Sequence, residues 1–111
     1  MSWTSLDDEI GGTGSEGGTI LLDDEHADGA RITLEEGGAI APFAITCGIY
    51  GWMMHTRFFS SREEGVLEFG RMKAALDEIL ARIPAKSDAH VEEKMRKVSD
   101  AIARFVKQFP T

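Results

Sequence analysis

"GGAIAPFAITCGIYGWMMHT", residues 37–56, runs twenty residues without a formal charge when His55 is neutral, in a chain of which 28% is charged. Twenty such residues are long enough to cross a bilayer as a helix. Gly37, Gly38, Gly48, Gly51 and Pro42 interrupt the run, however, and polar and apolar residues alternate with the period of a strand. The alternation predicts two central strands of a small antiparallel sheet. With Tyr50-Gly51 as the tip of a tight hairpin, Ile49 faces Trp52, Cys47 faces Met54, Ile45 faces Thr56 and Phe43 faces Phe58. That register gathers Phe43, Ile45, Cys47, Ile49, Trp52, Met54 and Phe58 on one apolar face. It leaves Ala44, Thr46, Gly48, Met53, His55 and Arg57 on the other. Tyr50 is a poor first residue for a tight turn, which points to a longer loop as the alternative.

Working outward, "TILLDDEHADGARITLEE", residues 19–36, reads as a preceding hairpin. A loop of Ala27-Asp28-Gly29 sets Leu22 opposite Leu34 and Glu25 opposite Arg31, and puts Gly29 where such loops need a left-handed residue. A two-residue loop would set Leu22 against Glu35, so the pairing of like with like favours the longer one. After the second hairpin the period changes to that of helices. Ser61 with Glu64 forms a capping box, followed by Phe69, Met72, Leu76, Ile79 and Ile83 along one helix face until Pro84. Ser87 or Asp88 is expected to cap a second helix with the stripe Val91, Met95, Val98, Ile102, Phe105 and Phe109. A short connection makes the two helices antiparallel.

Residues 1–18 read as a flexible acidic tail, because "GGTGSEGG" at 11–18 has the composition of a linker. Deleting 1–17 is then expected to leave the melting temperature nearly unchanged. The fold class predicted is α+β: residues 19–111 form one domain, a four-stranded antiparallel meander followed by a two-helix hairpin on one sheet face.

The net charge of −7 is uneven: residues 1–36 hold ten acids and one base, and residues 37–111 hold nine acids and eleven bases. Such an N-terminal third repels nucleic acid and anionic membranes and suits a basic partner or plain solubility. The first twenty residues show no basic stretch leading into an apolar run, and the single cysteine cannot form an internal disulfide. A reducing cytoplasm is the expected compartment.

No cofactor is implied, and no zinc, phosphate-loop or hydrolase signature occurs. "DDEH" at 23–26 gathers possible metal ligands, but a strand sends Asp23 and Glu25 one way and Asp24 and His26 the other, so no metal site is expected. Cys47 and His55 fall on opposite faces in the register above, so Cys47 reads as a buried inert thiol. Thr46, His55 and Arg57 share the open face with Met53, beside small residues that leave room for an anion, a small ligand or another chain. Trp52 at the hairpin tip suits an interface. These features favour a non-catalytic protein acting through protein–protein contact, including a twofold homodimer on the open sheet face. A small-ligand or anion binder using His55 and Arg57 is the alternative, and an enzyme has the least support.

Overall fold

In a computed structural model, which describes residues 2–111, the chain is an α+β fold with a five-stranded antiparallel sheet in sequential order, followed by two helices. The hairpin of β2 (Thr19–His26) and β3 (Ala30–Glu36) pairs Leu22 with Leu34 and Glu25 with Arg31, in the register read from sequence. The Gly29 N–H donates to the His26 carbonyl, and Gly29 has φ +105. A bulge between Ile20 and Leu22 adds one residue to β2. The extra residue turns Ile20 to the opposite face from Leu22, where it is buried.

The hairpin of β4 (Phe43–Ile49) and β5 (Met53–Phe59) corrects the sequence reading by one residue. Ile49 pairs with Met53, Cys47 with His55, Ile45 with Arg57 and Phe43 with Phe59. The Trp52 N–H donates to the Ile49 carbonyl, and Gly51 at the third position of this turn has φ +82, the arrangement of a type II turn. Trp52 is therefore left in the loop, and a loop of three residues exchanges the faces of the whole strand. His55, Arg57 and Met53 stand on the face that carries Ile45 and Cys47, and Met54, Thr56 and Phe58 stand on the other.

The expectation of a loose N-terminal tail and a four-stranded sheet is also corrected. Trp3–Ser5 form β1, which pairs with β2, Trp3 opposite His26. A 3-10 turn follows at Asp7–Glu9, and the glycine-rich residues 11–18 lie as a strap across the sheet face remote from the helices. Backbone bonds tie the strap at both ends, from Leu6 N–H to the Asp23 carbonyl and from Ile20 N–H to the Gly12 carbonyl. Its middle is held by Glu35, a fully buried carboxylate that accepts from the N–H groups of Glu16 and Gly18. Successive N–H groups of this kind form an anion-binding concavity. Here the anion comes from the same chain, and its hydrogen bonds offset the entropy cost of ordering glycine.

The helices cover the other face. Ser61 caps α1 (Arg62–Leu80) by accepting from the Glu64 N–H, and Phe69, Met72, Leu76 and Ile79 are buried in the order their spacing predicts. The connection to α2 (Val91–Gln108) is longer than expected. Asp88 accepts from the His90 N–H and pairs with Lys94, which delays the start of α2 until after His90. Ile79 and Arg82, at and just beyond the end of α1, face Ala101 and Arg104, while Phe109 reaches back to Arg71, so α2 runs antiparallel to α1. Val98, Ala101 and Phe105 are the buried stripe of α2, Phe109 just beyond its end is buried too, and Met95 is exposed.

Trp3 closes the β1 end of this layer. Its indole N–H donates to Asp77 Oδ1 on α1, and its ring meets the His26 ring edge-on at 5.0 Å. His26 Nδ1 accepts from the Asp28 N–H, and its Nε2 lies 3.2 Å from the same Asp77 oxygen. Deleting residues 1–17 should therefore remove Trp3 and the strap together and lower the melting temperature by roughly 10 °C. A scanning-calorimetry shift of only a degree or two would contradict this. Gly18→Ala should cost about 1–3 kcal/mol in urea unfolding, because its Cβ would lie 2.6 Å from the Glu36 carbonyl oxygen.

Candidate functional site

The residues singled out from sequence separate into three places. His55 and Arg57 lie beneath the helices. Nε2 of His55 is bonded to the Phe109 carbonyl at the end of α2, and the His55 ring meets Phe105 edge-on at 6.1 Å. The Arg57 guanidinium is bonded to Glu68 of α1 and lies 4.9 Å from the centre of the Phe59 ring. Glu68 is buried and also accepts from Arg71 at 2.6 Å. The placement of His55 and Arg57 on an open face is thereby corrected: both side chains are already used to dock helices, because the three-residue loop turned them inward.

Burial pushes the Glu68 carboxyl up, but the hydrogen bonds from Arg57 and Arg71 outweigh it and hold the group below the usual carboxylate range. A carboxylate whose folded value is depressed contributes stability above its unfolded value, and that contribution is lost as pH falls through the folded one. Glu68→Gln should lower stability at neutral pH by about 3 kcal/mol, because it leaves Arg57 uncompensated. It should also reduce the acid-side slope of stability below about pH 4.3, read by urea titrations.

Trp52 and Met53 lie at the hairpin end of the molecule. Trp52 is half-buried on the core cluster and lines an open cleft together with Ile83 and Pro84 of the connection between the helices and Val91 at the start of α2. Met53 packs against the core cluster beside it. Of Thr46, Met53, His55 and Arg57, Thr46 alone is found on the open face, beside Ala44 and Gly48. Its hydroxyl lies 3.0 Å from that of Ser15 in the strap and 3.4 Å from that of Thr56.

Thr46 belongs to a cleft of about 310 Å³ on the strap side of the sheet. Its floor includes Ile20 and Gly48, one wall is the strap at Gly14 and Ser15, and the other is Tyr50 and Met54. Arg31 and Thr33 add polar groups. The Arg31 guanidinium grips the fully buried Asp23 with Nε and Nη2, and Thr33 donates to the same carboxylate. The Asp23 hydrogen bond raises the Arg31 pKa against the opposing effect of burial, and Arg31 stays charged. Tyr50 donates its hydroxyl to Glu25 across the cleft mouth. Glu25 and Glu9 leave that mouth acidic rather than anion-seeking. The strap side was missed from sequence because its two cues, a linker composition and a hairpin full of carboxylates, each read as solvated chain.

Cys47 and His55 are cross-strand neighbours, contrary to the sequence register, but no hydrogen bond joins the thiol to the imidazole and the thiol is buried among apolar side chains. Burial pushes its pKa up to about 12. Among the described residues no group of three His, Cys, Asp or Glu side chains is arranged to hold a metal ion, and no helix is long and apolar enough to cross a membrane. The chain matches no protein-family model, no curated protein and no solved structure.

A thiol of this kind should resist alkylation in the native protein and react only as fast as the chain unfolds. Its folded pKa exceeds its unfolded one, so its contribution is intact below about pH 8.5 and lost as pH rises above that value. Labelling of native protein at the rate of a free thiol would contradict the assignment.

Proposed function

We propose that this is a non-catalytic interaction module of the cytoplasm, with the β5 edge and the adjoining hairpin tip as its contact surface. One observation carries the reading. β5 is seven residues long, ends the sheet, and pairs on its outer side with no strand among the described residues. Natural sheets usually shorten, cover or charge such an edge. Here Met54 is 75% exposed and Tyr50 57% exposed beside it, and Phe58 is half-buried. The buried polar side chains Asp23, His26, Glu35 and Glu68 are all engaged by neighbours within the chain, so they support packing rather than chemistry. The acidic N-terminal third, with Asp7, Asp8 and Glu9 exposed, favours a protein partner over nucleic acid or a membrane surface.

A second reading is a small-ligand site in the cleft around Arg31, Thr33 and Thr46, motivated by its volume and its mixed lining. A bound molecule in native mass spectra that is lost on Thr46→Phe would favour it.

A photo-crosslinking residue placed at Met54 in the producing cells tests the main reading. A discrete protein adduct, absent when the same residue replaces the exposed Arg82, is expected. Equal background at both positions would overturn it.

A further inference from the structure

We propose that the occupant of the β5 edge is a second copy of the chain, paired antiparallel with β5 about a twofold axis through Thr56. The proposal rests on the reading of β5 as a contact surface and adds the identity of the partner and its register.

The polarity of the ladder sets which groups are free. Tyr50 donates its N–H to the Gly29 carbonyl across the pair Ala30–Ile49, so Tyr50 and Gly48 turn their backbone groups toward β3. Ile49, Cys47, Ile45 and Phe43 then turn theirs toward β5, where they meet Met53, His55, Arg57 and Phe59. The backbone N–H and C=O groups of Met54, Thr56 and Phe58 are left pointing away from the sheet. These three residues are symmetric about Thr56. In an antiparallel pair centred there, Thr56 faces Thr56 of the second copy, and Met54 faces Phe58 at both ends. All three become hydrogen-bonded pairs, and any displaced register leaves at least one outward residue unmatched.

The side chains agree with this register. Met54 and Phe58 project from the face away from the helices, where a thioether meeting an aromatic ring is a favourable contact. Met53–Phe59 contains no carboxylate, in a chain of net charge −7. The opposite edge is poorer on both counts: β1 has three residues and leads directly into Asp7, Asp8 and Glu9. Like-charge repulsion between copies is therefore least at β5. His55 and Arg57 alternate with the outward residues, but their side chains are held under their own helices by the Phe109 carbonyl and Glu68.

Sedimentation and amide exchange of the purified full chain test this together. A species of twice 12.2 kDa is expected, with the amides of Met54, Thr56 and Phe58 protected at high concentration and unprotected on dilution. Those of Met53, His55, Arg57 and Phe59 should be protected at both. Thr56→Pro removes one outward N–H and none that faces β4, and should halve the mass while far-UV circular dichroism keeps its native form. Should that variant fail to fold, Met54→Asp, at an exposed position, should also give the monomer. A monomer at all concentrations, or a dimer unchanged by a folded Thr56→Pro or by Met54→Asp, would overturn the proposal. In that event an adduct from position 54 to a different protein would leave the interaction reading standing. Absence of any adduct would remove both.

Discussion

The pairing of Ile49 with Met53 sets the alternation of β5 and, through it, the attachment of both helices. It directs Arg57 inward to Glu68 on α1 and His55 inward to the carbonyl that ends α2. In the alternative register those side chains would face the strap side, and Met54 and Phe58 would meet the helices in their place. Helix packing supplied by apolar contact alone tolerates sliding, because one methyl group serves much like another. A guanidinium bound to a buried carboxylate does not, since displacement leaves both charges desolvated. The inward Arg57 and His55 specify where the helices sit, while Ile45, Cys47, Met72, Leu76 and Phe105 supply the buried area.

A related logic governs the strap side. Asp23 and Glu35 are both fully buried on that face of the sheet. Each is neutralised differently. Asp23 receives a guanidinium and a hydroxyl from the neighbouring strand, and Glu35 receives backbone N–H groups from the strap. No buried side-chain nitrogen or oxygen among the described residues lacks a partner. The sheet is thus two-sided: apolar residues with a few docking charges under the helices, and a polar network roofed by glycine on the other face.

Much of this was legible in the sequence, and the exceptions have physical causes. The first hairpin and α1 were read correctly because their signals are local: a turn with glycine at a required position, and a capping box opening a periodic stripe. The β4–β5 register was off by one because the apolar sorting of side chains looked equally good with Trp52 and Met54 inward. The turn's tolerance for Tyr50 ahead of Gly51 decided the matter against it. The strap and β1 were missed because Glu35, the group that orders the glycines, lies nearly twenty residues further along the chain. Composition reports the flexibility of an isolated segment and carries no trace of a distant acceptor. Thr46 was placed on the correct face, but His55, Arg57 and Met53 followed the register error, so the expected site dispersed while the cleft beside Arg31 went unseen.

The strap is a loop with both ends fastened to the sheet. For such a loop the entropy of closure grows only with the logarithm of its length, about 0.6 kcal/mol for each doubling. Homologous chains could therefore lengthen or shorten the stretch between Leu6 and Gly11, whose N–H groups both fasten to β2, with little thermodynamic consequence. Position 18 has no such latitude, since the Glu36 carbonyl occupies the space a side chain would need. Length variation beside an unvarying glycine would be the trace this strap leaves across related sequences.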